Sequence, residues 1–214
     1  VIINGNEKVI IAQEKIAPNI VQVFKNPKQN TKYGYVCEIR SCPDDIYCHP
    51  KTISLKITSK PDLFQNVIRV SIPHLRTEIP LFVLFRALGC NGDKDIFYHI
   101  IDNDKSQIDK NIFKILRQSI LDAQEIKSQA DALEYMVKYI NNTNYSNYQN
   151  AAIDVKIKYI RNVILNDVLP HLGDSPIKKC YFLGHMTNKL IKCYMGLSDT
   201  DDRDSYINKR IEAC

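Results

Sequence analysis

The sequence predicts an α+β fold, with strands first and helices after. Up to Pro73 the apolar residues fall in short runs of four to eight with period-two character, separated by Pro, Asn and Asp. Beyond Pro73 they recur at three- and four-residue spacing over longer stretches. No internal repeat is visible, and 214 residues suffice for one large domain or for one domain with pieces of a second.

The strands come in order. "EKVIIAQ" alternates weakly but is dense in β-branched residues. "NIVQVF" places Ile20, Gln22 and Phe24 on one face, with Val21 and Val23 on the other. "YGYVCEIR", "TISLKIT" and "VIRVSI" follow. Turn formers separate them at Ala17-Pro18-Asn19, "KNPKQN", Cys42-Pro43-Asp44-Asp45 and Lys60-Pro61-Asp62.

The helices begin with "TEIPLFVLFRALG", where Thr77 is the predicted N-cap, Pro80 lies in the first turn and Gly89 suits a left-handed C-cap. "DKDIFYHII" reads as a short helix opened by Asp93. From Ser106, the positions Ile112, Ile115, Leu116, Ser119, Ile120 and Ala123 trace one helical face. A further helix covers Asp131 to Ile140, and "NNTNYSNYQN" after it is a polar loop. Ile153, Ile157, Ile160, Ile164 and Val168 form a stripe that ends at Pro170 and Gly173. The last helix sets Leu183, Met186, Leu190 and Cys193 on one side. The predicted core of the helical part is Ile112, Leu116, Ile120, Ile157, Ile160, Ile164, Leu183, Met186 and Leu190.

Composition narrows the function classes. The chain is 44% hydrophobic and 25% charged, ordinary for a globular protein, and its longest apolar run, "IPLFVLF", is too short to cross a bilayer. A net charge of +5 permits an acidic partner such as nucleic acid without demanding one. The chain starts in strand-like sequence without an initiator Met and stops at "NKRIEAC", so it reads as a segment of a longer protein.

Groups that could do chemistry are sparse. No phosphate-binding loop, dinucleotide fingerprint or metalloprotease helix is present. Seven cysteines fit no disulfide framework. Cys37, Cys42, Cys48 and His49 could in principle hold zinc, but adjacent Cys48 and His49 would point apart in a strand. His74, His99, His171 and His185 stand apart from one another and read as structural. "SDTDDRD" could be taken for a Mg²⁺ site, yet Arg203 between Asp202 and Asp204, with Lys209 and Arg210 nearby, favours an ion-paired knot.

Four stretches point to a family. "VIINGNEKVIIAQEKIAPNIVQVFK", "IPHLRTEIPLFVLFRALG", "VLPHLGDSPIKKCYFLGHMTNKL" and "DDRDSYINKR" resemble the second-largest subunit of multisubunit DNA-dependent RNA polymerases, the eukaryotic polymerase II type in particular. They keep family order and span Ile2 to Arg210. The resemblance implies a lobe domain at residues 17–198, flanked by protrusion-domain segments at 1–16 and 199–214. It further implies a wall of the DNA cleft that guides downstream DNA, with initiation factors on the outer lobe surface. The parent enzyme would be an intracellular nucleotidyltransferase, in the nucleus if cellular and in host cytoplasm and virion if viral. Its Mg²⁺ would be held mainly by the largest subunit, leaving the fragment non-catalytic, with no cofactor or metal of its own.

Two stretches depart from the family pattern, the cysteine-rich "CEIRSCPDDIYCHP" and "NNTNYSNYQN". With the Asn, Ile and Lys bias, they suggest a large DNA virus or an AT-rich eukaryote. Within "DDRDSYINKR", Arg203, Asn208, Lys209 and Arg210 are expected to face nucleic acid, and Asp201, Asp202 and Asp204 to hold the hinge by ion pairing with Arg203 and neighbouring bases. The alternative is a free-standing module that docks an acidic partner through the basic helix "IDVKIKYIRNVI", or a zinc-binding regulatory domain built on the Cys37–His49 cluster.

Overall fold

β1 (Ile2–Ile3) and β2 (Asn6–Glu7) form a hairpin because Asn4 and Gly5 both take positive φ, 51° and 78°. That is the two-residue turn whose twist matches the flanking strands. The computed structural model describes residues 1–26, 32–43, 48–58, 66–101, 108–140 and 152–212, with backbone alone at 108–110 and 212. The predicted loops "KNPKQN" (beyond Asn26), Asp44-Asp45, Lys60-Pro61-Asp62 and "NNTNYSNYQN" lie outside the described residues.

"EKVIIAQ" is not one strand. It pairs only at its two ends, in β2 and in β3 (Gln13–Ile16), and Val9 and Ile11 between them are exposed. Apolar, β-branched sequence supplies propensity, but a strand needs a partner, and no ladder forms along residues 8–12.

β4 (Gln22–Lys25), β5 (Tyr33–Ser41), β6 (Lys51–Thr58), β7 (Ile68–Ser71) and β8 (Ile79–Pro80) form a five-stranded antiparallel sheet in chain order. Alternation directs Val23, Cys37, Ile39, Ile53, Leu55, Ile57, Ile68 and Val70 into the core. The edge before β4 is fixed by Asn19, which sits at φ 61° and exchanges two side-chain hydrogen bonds with Cys42: Nδ2 to its carbonyl at 2.8 Å, and Oδ1 from its N–H at 2.9 Å.

α1 (Leu81–Ala87) is buried all round, as its apolar run Leu81–Phe85 requires. Thr77 is not its N-cap. Ile79 and Pro80 stay extended to pair with β7, which moves the start to Leu81 with Pro80 at the cap. The C-terminus closes as expected on Gly89 at φ 106°, with Gly89 N–H donating to Arg86 O at 2.9 Å and Cys90 N–H to Phe85 O at 3.0 Å. Arg86 is buried with its charge matched: it donates to the carbonyls of Ala123 and Ile126 and to Asp93 Oδ1.

α2 (Asp93–Ile100) and α3 (Ile108–Asp122) follow. Ile112, Leu116, Ser119 and Ala123 are buried, with Ile115 and Ile120 half-buried beside them. Ser119 is polar on that stripe because its hydroxyl accepts the Ile68 N–H at 3.0 Å, joining helix to sheet. α4 (Gln129–Val137) starts two residues before its predicted Asp131. Ser128 and Asp131 form a reciprocal capping box there.

α5 (Ile153–Asn166) buries Ile160, Val163 and Ile164, half-buries Ile157 and leaves Ile153 exposed. Beyond a 3₁₀ turn at Pro170–Leu172, α6 (Pro176–Tyr194) lays Leu183, Met186, Leu190 and Cys193 into the core. It crosses α2 so closely that a Cβ on Gly184 would lie 1.9 Å from the His99 carbonyl oxygen. One turn on, Asn188 Nδ2 donates to Ile100 O at 2.7 Å, capping the end of α2. A second 3₁₀ turn at Tyr206–Asn208 leads into β9 (Lys209–Glu212), which pairs antiparallel with β3. The fold is therefore α+β. Among the described residues no helix is long and apolar enough to cross a membrane.

Candidate nucleic-acid interface

The "DDRDSYINKR" segment leaves α6 and passes the outer edge of the sheet before joining β3. Asp201 makes the first attachment. Its N–H donates to Val23 O at 2.8 Å, while its Oδ2 accepts the Val23 N–H at 2.8 Å and Lys189 Nζ at 2.9 Å. Lys189 also donates to Val21 O at 2.7 Å. Asp201 and Lys189 together thus satisfy backbone groups of Val21 and Val23 on the outer edge of the sheet, which would otherwise be bare.

For Asp201 the sequence predicts a partner within the motif, but its counter-charge comes from α6. Asp202 uses its side chain on the Asp204 N–H at 3.0 Å and its carbonyl on Asn208 Nδ2 at 2.7 Å, so it shapes a turn rather than an ion pair. Arg203 does not pair with these acids either. It reaches Glu38 Oε1 on β5 at 3.3 Å and lies over the Phe24 ring, 4.2 Å from its centroid.

Asn208 is turned inward. Its side chain is buried, holding the Asp202 carbonyl, and its own carbonyl accepts the Ala17 N–H at 3.0 Å. An amide so engaged is not an outward-facing group: it ties Asn208 to Asp202 near the start of the segment, while the Asn208 backbone holds Ala17 beside β3. Lys209 pairs with Glu14 Oε2 at 2.9 Å rather than with Asp201, Asp202 or Asp204. That ion pair holds Glu14 below the usual carboxylate range and Lys209 above the usual amine range.

The β3–β9 register makes Lys15 and Arg210 direct partners, and both are exposed. Partners in a ladder share a face, so the ribbon sets two cations side by side, with Lys209 on the opposite face beside Glu14. The stretch could not reveal Lys189, Glu38, Phe24 and Glu14 as partners, because all come from other elements. The strand β9 itself explains why Lys209 and Arg210, expected on one side, point to opposite faces.

The remaining sequence candidates are scattered. Cys37 lies in the core between Val23 and Leu55, where burial pushes its thiol up. Cys42 directs its thiol to the carbonyls of Pro43 and Cys48, and His49 is exposed. Among the described residues no three His, Cys, Asp or Glu side chains are grouped to hold a metal. His74 meets Asp167 at 3.2 Å, and His171 Nδ1 lies 2.6 Å from Ser41 Oγ. His99 lies 3.6 Å from Cys90, and His185 packs near Phe182.

An antiparallel meander backed by helices, with the exit segment pinned along its edge, defines an α+β domain whose entering and leaving strands pair with each other. Residues 17–212 match the family described as RNA polymerase Rpb2, domain 2, and the chain belongs to that family. It is 37% identical to the DNA-directed RNA polymerase II subunit RPB2 of Encephalitozoon cuniculi, over 99% of this chain and 17% of that protein. It is likewise 37% identical to DNA-directed RNA polymerase II subunit 2 of Arabidopsis thaliana, over 99% of this chain and 18% of the relative. It is 33% identical to DNA-directed RNA polymerase subunit 2 of Acanthamoeba polyphaga mimivirus, over 99% of this chain and 18% of the relative. The chain therefore spans less than a fifth of the length of these relatives.

Proposed function

We propose that this chain is the lobe region of the second-largest subunit of a DNA-directed RNA polymerase, with residues 1–16 and 199–214 as protrusion-side flanks. The observation that carries the reading is the family match over residues 17–212. The module works inside the assembled enzyme, lining the cleft and guiding downstream DNA. Its partners are the largest subunit, the template and initiation factors on the outer lobe surface. Nucleotidyl transfer belongs to the parent complex, whose Mg²⁺ is held mainly by the largest subunit. The setting is intracellular, a nucleus or a virus-infected cytoplasm with its virions.

The basic helix offered for an acidic partner is α5, whose Ile160, Val163 and Ile164 are buried in the domain, so its apolar stripe serves the fold. At the nucleic-acid side, the exposed Arg210 and Lys15 share one ribbon face, a geometry that suits phosphate contacts blind to sequence. Lys209, held by Glu14, and Arg203, held by Glu38 and Phe24, keep the ribbon and the exit segment in place.

The test is a pair of variants in the assembled polymerase. Lys15→Ala with Arg210→Ala should weaken retention on every template alike. It should also flatten the log–log salt dependence on duplex DNA, by roughly 0.9 for each phosphate that is no longer neutralised. Asp201→Ala should lower assembly yield without DNA, because it releases Val23 and Lys189 together. An unchanged salt slope with reduced assembly would remove the DNA role of the ribbon.

A further inference from the structure

Cys90 and Cys180 lie 90 residues apart in sequence, yet their sulfurs are 3.1 Å apart where the end of α1 meets the first turns of α6. Both are free thiols, Cys180 buried and Cys90 partly open to solvent. We propose that they form a redox-modifiable pair, with Cys90 the residue attacked by hydroperoxides and Cys180 the thiol that resolves it into a disulfide.

Three groups converge to make this arrangement. The Cys90 S–H donates to Cys180 Sγ, and once Cys90 is ionised the Cys180 S–H is the hydrogen left to bridge the two sulfurs. His99 on α2 places Nε2 3.6 Å from the same sulfur. The His99 ring is held edge-on by Tyr181, with centroids 4.4 Å apart, and its Nδ1 is buried with no hydrogen-bond partner among the described residues. A hydrogen bond made to the ionised sulfur favours its thiolate, the form that reacts. Cys90 is accordingly held below the ordinary thiol range by the Cys180 hydrogen bond, with help from His99 and against its partial burial and Asp95. Cys180 is pushed up, chiefly by its hydrogen bond with Cys90 and then by burial.

The chemistry balances with a hydroperoxide as oxidant. The Cys90 thiolate attacks one oxygen of hydrogen peroxide, and the O–O bond breaks. Hydroxide leaves and takes up a proton as water, giving Cys90 sulfenic acid. Cys180 sulfur then displaces the sulfenic oxygen, and the Cys180 proton departs with it as the second water. The two thiols lose two electrons and the peroxide gains them. The sulfurs need to close by about 1 Å to reach the covalent distance of about 2.05 Å. The bond would fasten the α1–α2 connection to α6, beside the close crossing at Gly184.

The test uses the full-length protein in its assembled complex. It is exposed to graded hydrogen peroxide, remaining thiols are alkylated, and peptides are mapped by mass spectrometry. The expected result is a Cys90–Cys180 cross-linked peptide that appears before Cys42 or Cys48 is modified and reverts with dithiothreitol. Its rate should rise between pH 6 and 8 by far less than the roughly 80-fold of a thiol with an ordinary pKa of about 8.5. In Cys180→Ser the cross-link should be replaced by a sulfenic acid at Cys90 that dimedone traps. Cys90→Ser should leave Cys180 unmodified. Equal reactivity of Cys90 and Cys42, an ordinary pH dependence, or no dimedone adduct in Cys180→Ser would each overturn the proposal.

Discussion

Gly184→Ala gives a sharp test of how α2 and α6 meet. Within an exposed helix this exchange stabilises by about 1 kcal/mol, because alanine loses less backbone entropy on folding. Here the new Cβ would lie 1.9 Å from His99 O and 2.5 Å from His99 C, against an ordinary separation of 3.4 Å or more. The helices would have to part by about 1.5 Å at that point, since the obstacle is backbone and cannot rotate away. Overpacking of this kind costs about 1–3 kcal/mol. The Asn188–Ile100 hydrogen bond, 2.7 Å long and one turn away, would stretch with it, a further loss of about 1 kcal/mol. Set against the helix-propensity gain, the net is a destabilisation of about 2 kcal/mol. For a chain of this size that corresponds to a fall in Tm of about 4–8 °C. Circular dichroism suits the measurement, because the chain has no Trp. A Tm that holds or rises would mean that the two helices do not touch at Gly184, and the reasoning would fail.

The remaining predictions concern the core and one buried amine. Leu116→Ala and Ile160→Ala should each cost about 2–5 kcal/mol in chemical denaturation, since both residues are fully buried and leave cavities; a loss within error at both would contradict the assigned faces. Lys179 is buried, donating to the carbonyls of Ile164 and Leu165 at the end of α5, and burial lowers its pKa to about 8. The unfolded lysine titrates near 10.4, so between about pH 8 and 10.4 the unfolded chain binds more protons and stability contributed by this group rises with pH. Lys179→Met should remove that rise, and parallel stability curves for variant and parent over the window would refute it.

Much of the fold was legible from period alone. β5 from Cys37 on, β6 from Ile53 to Ile57, and β7 alternate, and α3, α5 and α6 carry apolar stripes that the core accepts. The errors fall where a distant partner decides the local state. Thr77 precedes a good helix pattern, but the pairing of Ile79 with Val70 holds the chain extended until Pro80. Residues 8–12 look like a strand and find no ladder. The candidate site was legible in composition but not in pairing. The motif announces its charges, whereas Lys189, Glu38 and Glu14 reach it from three other elements. Asn208 departs from its expected outward position for the same reason, since nothing local says that an amide between Ile207 and Lys209 will turn inward to bind a carbonyl. Cys90 and Cys180 gave no signal, because 90 residues separate two thiols that only the packing of α6 brings together.

The β3–β9 ribbon has a mechanical consequence. Its strands run antiparallel, with Gln13 opposite Glu212 at the end away from the domain and Ile16 opposite Lys209 at the near end. A load that separates the two connecting strands acts along the interstrand hydrogen bonds, which lie perpendicular to the strands. It therefore meets them one after another, in the manner of a zipper, rather than all together in shear. The junction would yield progressively under tension, and the first bonds to open are those farthest from Asp201 and Asn208. Those two residues act as the stop: tension reaches the five-stranded sheet only after the ribbon has peeled back to the Ala17–Asn208 bond. A domain hung in this way can swing on a soft stalk while its sheet and helices keep their shape.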